Sequence, residues 1–176
     1  VFRVAQLALL LAAAEDTGAK LTNLDRLAYF DFFAANPFIV LDGESVEKDA
    51  RDRLTLRLAG FTDRQLTYGT VGHRFATRHE RIRHDLALLV ARGLARALAD
   101  RYAITPSGAE FASALKTVYA EAYRTAALIV LKRFGGLSET RLRAKAEKLL
   151  GAPWLLIDFL ADVEGVDTVT RGGGAS

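Results

Sequence analysis

A chain of 176 residues, 51% hydrophobic and 26% charged, has the material for one buried core, or for one domain with an appendage. Its net charge of +3 permits nucleic-acid binding without demanding it, and the absence of cysteine excludes disulfides, thiolate metal sites and cysteine nucleophiles, which fits a reducing cytoplasm. The longest apolar runs, residues 7–14 and 126–131, fall far short of the roughly 20 residues that span a bilayer. No membrane association is expected. No secretory signal pattern is present, and a start at Val1 rather than methionine fits a missing N-terminal piece.

In chain order, residues 1–14 are apolar on every side and predict a buried helix. Residues 17–20 form the turn. Thr22 followed by Asp25 suggests a capping box, opening a second helix that runs to about Ala35 before Pro37. Tyr29, Phe30, Phe32 and Phe33 point from it in several directions, so cover from more than one neighbour is required. Residues 38–72 mix a short apolar run, a heavily charged helical stretch (45–59) and a loop-like stretch (62–72). They read as an insertion, 36–76 with its junctions.

Thr77 with Glu80 matches a capping box for a third helix that ends at Arg92, with Gly93 as the residue beyond it. Helical projection puts Ile82, Leu86, Leu89 and Val90 on its buried face, and Arg81, His84, Leu88 and Arg92 opposite. Two apolar segments, 94–98 and 102–105, flank the turn-prone Asp100 as a hairpin. Thr105 and Pro106 then supply the cap and first position of a helix predicted to run unbroken over 106–134, roughly 40 Å. Phe111, Leu115, Val118, Ala122 and Ile129 form its apolar stripe, widened by Tyr119 and Tyr123. Ser138 caps a basic helix ended by Gly151, Pro153 opens a last apolar helix with Trp154 and Phe159, and a glycine-rich tail follows.

Helix, two-stranded wing, helix is the second half of a winged helix. The expected fold is therefore mainly α. A winged-helix core with a short β-hairpin wing occupies 1–115 and carries the insertion between its second and third helices. A C-terminal helical extension spans 106–163, and the tail 164–176.

Catalytic and cofactor signatures are absent. There is no phosphate-binding glycine loop and no nucleophile elbow. His79 and His84 are five apart, about 140° around a helix, and cannot chelate a metal as an i, i+4 pair does; His73 falls in the loop. Asp25 is spent as a cap, and Asp31 stands alone between Phe30 and Phe32. No enzyme activity, cofactor or metal is expected.

Two surfaces are candidates for binding. Arg78, Arg81, Arg83 and Arg92 on the third helix, with Arg101 on the wing, suit nucleic acid. Leu88, in the middle of the outward face of that helix, suits a protein, as do the aromatics Tyr29, Phe32, Phe33 and Phe38 around Asp31. The basic run Arg141, Arg143, Lys145 and Lys148 is a further phosphate-facing surface or a solvated face.

The order of these features resembles a family. Leu24-Asp-Arg-Leu-Ala-Tyr-Phe-Asp-Phe-Phe33 and Asn36-Pro-Phe38 precede a loop region. Arg74, Arg78-His-Glu-Arg-Ile-Arg83, Leu89-Val-Ala-Arg-Gly-Leu94, Tyr102-Ala-Ile-Thr-Pro-Ser-Gly108 and Phe111 come after it. Over residues 1–134 this is similar to the small middle component of bacterial ABC-three-component systems, the group that includes the small subunit of Lamassu anti-phage systems. The resemblance implies a non-catalytic adaptor in a hetero-complex, joining an SMC-like ATPase that senses foreign DNA to an effector nuclease. DNA would be reached through the complex. Its implied contacts are Asp31, Phe32 and Phe33 on the aromatic helix and Arg78, Arg81 and Arg83 on the arginine-rich one. The competing expectation is a homodimeric winged-helix transcription regulator, dimerising through helix 106–134 and the C-terminal helices. A hydrolase built on Asp31 is a third class.

Overall fold

A computed structural model describes residues 2–62 and 71–151. Its elements in order are α1 (Phe2–Thr17), α2 (Leu24–Ala35), a 3-10 turn (Pro37–Val40), α3 (Val46–Leu58), α4 (Val71–Ala91), β1 (Ala95–Ala97), β2 (Tyr102–Ile104), α5 (Pro106–Ala114), α6 (Val118–Phe134) and α7 (Glu139–Leu150). The described residues are thus mainly helical, with one two-stranded antiparallel sheet. The predicted apolar helix from Pro153 and the tail lie outside the described residues, as do residues 63–70 of the insertion.

α1 lies at the centre. Leu7, Ala8, Leu9, Leu10 and Leu11 in succession are buried, as an all-round apolar helix requires when α4, α5, α6 and β2 all pack against it. α2 fills the next layer. Tyr29 stacks on Phe75 of α4 at 5.3 Å, Phe32 meets the same ring edge-on at 5.5 Å, and Phe33 meets Phe134 of α6 at 5.9 Å. The cover that the aromatics of α2 required therefore comes from within the chain. α6 is central where it is most apolar, with Ala126, Ala127, Val130 and Leu131 buried.

Local signals hold where they are self-contained. Gly93 takes φ +68 after α4, and Thr105 accepts the Gly108 N–H as N-cap of α5 with Pro106 in the first turn. Ser138 caps α7 and Gly151 follows it. The hairpin pairs Ala95 with Ile104 and Ala97 with Tyr102. On the outer side of β2, the Tyr102 N–H donates to the Leu21 carbonyl at 2.9 Å, so a single residue between α1 and α2 extends the sheet.

Several boundaries differ from expectation. The N-cap of α2 is Asn23, whose side chain accepts the Arg26 N–H; Thr22 instead donates to Glu139 of α7, and Asp25 pairs with His79. α4 starts at Val71, six residues before the expected cap, so Thr77 lies mid-helix with its hydroxyl on the His73 carbonyl, and His73 is helical. Burial of Phe75 against Tyr29 and Phe32 extends the helix past a signal that would otherwise have started it. Val90 is exposed rather than buried, and Leu88 is half-buried against the core rather than outward.

The single helix over 106–134 is two helices. Leu115 leaves α5 in extended conformation, and Thr117 restarts the chain as N-cap of α6, accepting the Ala120 N–H. The break lets α5 and α6 each pack on α1, and it leaves Val118, expected in the apolar stripe, 84% exposed.

Buried guanidinium groups close the gaps between layers. Arg26 donates to the carbonyls of Lys20, Leu137 and Gly135, tying the α1–α2 turn to the end of α6. Arg133 of α6 holds α3 through Asp49 and Asp52, both at 2.7 Å.

Gly108 carries a further constraint. A Cβ there would lie 1.9 Å from the Leu94 carbonyl oxygen and 2.8 Å from Ile104 Cδ1, because the hairpin backbone rests on the first turn of α5. Gly108→Ala is therefore expected to destabilise the fold by about 2–3 kcal/mol through overpacking. Thermal unfolding checks it; a change below about 0.5 kcal/mol would mean that the hairpin is not seated on α5.

Candidate functional site

On α4, Phe75, Ile82, Leu86 and Leu89 face the core, and two polar residues share that side: Arg78 at its edge and Asp85 within it. On α2, Asp31 is likewise turned inward, only 1% exposed. The three meet where α1, α2, α4 and α6 converge. Arg78 Nε and Nη2 donate to the two Asp31 oxygens, and a second Nη2 bond reaches Gln6 at 3.1 Å. Arg3 donates to Asp31 at 3.3 Å and to Asp85 at 2.7 Å. The Tyr123 hydroxyl completes Asp31 at 3.2 Å, and Gln6 bonds the Tyr119 hydroxyl.

The electrostatics follow from this arrangement. Burial alone would lower the pKa of Arg78, but the charge and hydrogen bonds of Asp31 outweigh it and the net shift is upward. Burial, reinforced by the neighbouring Asp31 carboxylate, pushes the Tyr123 hydroxyl well above the usual tyrosine range. Burial also raises Tyr119 and Tyr29.

Above this network lies an open cleft of about 240 Å³ between α1, α2 and α4. Arg3 of α1, Phe32 of α2 with Asn36 just beyond it, and His73, Arg74, Thr77, Arg78 and Arg81 of α4 line it.

The sequence-predicted residues divide accordingly. Tyr29, Asp31, Phe32 and Phe33, expected as partner contacts, are all buried and engaged with the chain's own core or network. Phe38 is half-buried beneath the Arg53 guanidinium at 5.7 Å. Arg78, expected on nucleic acid, is an internal partner of Asp31, and Arg101, half-buried, pairs with Asp100. Arg81, Arg83 and Arg92 are exposed. In the basic run of α7, Lys145 is tied to Asp42 and Glu44, whereas Arg141, Arg143 and Lys148 are exposed. Among the described residues no group of three or more His, Asp or Glu side chains is placed to hold a metal, and no described helix is long and apolar enough to cross a membrane.

Sequence reasoning missed Arg3, Gln6, Asp85, Tyr119 and Tyr123 as members of the network. A signal existed for Asp85, which stands three residues after Ile82 and four before Leu89, on the apolar side of its helix.

These elements define a mainly helical protein with a helix–hairpin–helix half and a polar network beneath a basic cleft. The family model for middle component 2 of ABC-three-component systems matches residues 67–153, just under half of the chain. The match covers α4, the hairpin and α5 to α7, so it begins and ends later than the resemblance read over 1–134, and it supports the middle-component part of that resemblance without reaching α1 and α2. No curated protein and no solved structure matches the chain.

Two measurements test the network. Asp31→Ala leaves Arg78 without its counter-charge, while Arg3 keeps Asp85, and is expected to cost about 3–5 kcal/mol; the Asp31→Leu/Arg78→Met pair should cost clearly less than the sum of its single changes. Additive losses by chemical unfolding would break the coupling. The upward tyrosine shifts have a definite sign: the folded state holds these protons more tightly than an unfolded chain, whose tyrosines titrate near about 10. Stability should therefore fall as pH rises above about 10, and fall less in Tyr123→Phe. Equal alkaline slopes in the two proteins would rule out Tyr123 as the group responsible.

Proposed function

We propose that this chain is the middle component of an ABC-three-component defence complex, a non-catalytic adaptor with a winged-helix core. It joins an SMC-like ATPase to an effector nuclease, as in Lamassu-type systems. The family match over residues 67–153 supports a part in a multi-subunit defence system. The winged-helix reading draws on the order α1, α2, α4, β1, β2, α5 and on the Leu21 bridge, which gives β2 a partner on each side.

The observation that carries the adaptor role is the presence of two exposed apolar patches at opposite ends of α6. Near its N-terminus, Phe2 and Tyr119 lie 4.7 Å apart beside the 84%-exposed Val118. Near its C-terminus, Arg133 anchors α3, whose exposed Leu54 and Leu58 lie about 40° apart on one side of that helix. α6 separates the patches by roughly 25 Å, enough for two partners to dock without competing.

A homodimeric regulator drew on one helix over 106–134 and on the C-terminal helices; the first is two helices, with α6 packed into its own core after the break at 115–117, and the expected helix from Pro153 lies outside the described residues. A hydrolase drew on Asp31, whose oxygens are taken by Arg78, Arg3 and Tyr123.

Co-expression with the products of the neighbouring genes, followed by affinity purification, tests the proposal. The full chain should co-purify with a long coiled-coil ATPase and a second protein. Val118→Asp should weaken one partner at least thirtyfold and Leu54→Asp the other, the loss expected of apolar hot spots worth about 2 kcal/mol. Unchanged capture by both variants would sink the two-surface adaptor. So would a stable dimer of the chain alone that shifts a specific duplex.

A further inference from the structure

Beyond that docking role, we infer that the cleft between α1, α2 and α4 is a seat for a backbone phosphate of a nucleic-acid strand. Its construction is specific. Arg3 and Arg78 are held in place from behind by Asp31 and Asp85, so their guanidinium planes are already oriented and little side-chain entropy remains to be lost on binding. Arg78 spends Nε and Nη2, and Arg3 spends Nε and Nη2, on the network. The Nη1 group of each carries none of those bonds, so each guanidinium can still donate to one phosphate oxygen. Arg81 completes the lining; it is exposed and has no ion-pair partner among the described residues.

The charge balance favours an anion. Among the described residues, Arg3, Arg74, Arg78 and Arg81 line the cleft and the carboxylates Asp31 and Asp85 lie behind it, so its lining is net positive.

The surroundings favour a polyanion over a single acidic side chain. At about 100° per residue, Arg74, Arg81 and Arg92 fall within about 20° of one another on one flank of α4, and Arg78 borders the same flank. Arg81 and Arg92 form a basic track roughly 16 Å long from the cleft towards the hairpin, where Arg96 is also exposed. Glu80, the only exposed carboxylate of α4, lies about 100° away from Arg81. Arg83 lies about 160° from Arg81, beside Val90, and is outside the track.

The test uses the full chain and a fluorescein-labelled oligonucleotide, single-stranded and duplex, with anisotropy measured across a salt series. The wild-type protein should bind with little sequence preference. Arg81→Ala should weaken binding at least fivefold and lower the slope of log affinity against log salt by about one, and Arg81→Lys should recover only part of the affinity. Lys132→Ala, at an exposed position on α6, should change nothing, and pyrophosphate should compete for the wild-type protein and not for Arg81→Ala. Equal binding and equal slope for wild type and Arg81→Ala would overturn the seat. A polyglutamate peptide that binds while both oligonucleotides do not would also overturn it. A chain that assembles with its protein partners yet fails this test would lose the phosphate seat alone.

Discussion

A carboxylate buried in a protein core costs several kcal/mol unless its oxygens find donors, and Asp31, buried among four helices, is such a carboxylate. Its donors come from three other helices: Arg3 of α1, Arg78 of α4 and Tyr123 of α6. Each packs where it does only if the others are present, because a half-satisfied network in a low-dielectric interior is worse than none. The network therefore sets the mutual register of four helices, which apolar contacts specify less sharply. Arg26 and Arg133 apply the same device at the periphery, binding the end of α6 and the α3 segment to the core.

This solution shapes the surface above it. Orienting Arg3 and Arg78 from behind leaves the front of the cleft basic and rigid, while Arg78 itself is no longer a mobile surface cation. The core aromatics of α2 are consumed by α4 and α6, and among the described residues the exposed apolar side chains include Phe2, Val118 and Tyr119 at one end of α6, Leu54 and Leu58 on α3, and Val90 and Leu98 near the hairpin. An adaptor needs separated surfaces more than it needs a reactive group. Both apolar patches, and the basic flank of α4, are consistent with that division of roles.

What could be read beforehand was whatever a short stretch of chain settles alone. Thr105 with Pro106, Ser138, Gly93 and the Asp100 turn each satisfy backbone groups within a few residues, so their identities sufficed. Thr77 carried an equally good capping signal and failed: a cap is worth about 1 kcal/mol, and burying Phe75 against Tyr29 and Phe32 outweighs it. The weaker signal at Thr22 missed by one residue, because Asn23 is the cap and Thr22 bonds Glu139 instead. The continuous pattern over 106–134 hid a break for a related reason: the chain bends at 115–117 so that two helices reach α1 where one could not.

The sequence by itself determined the helical class, the hairpin and its caps, and the amount of aromatic surface to be covered, because these depend on neighbours in the chain and on composition. Only the tertiary structure decided that Asp31 and Arg78 face each other, that the aromatics of α2 are interior and that Val118 is not. Those outcomes pair residues 47 and 92 positions from Asp31, and no local propensity carries information over such distances. Inward or outward orientation is set by which helix arrives to share the desolvation, and that is a property of the assembled core.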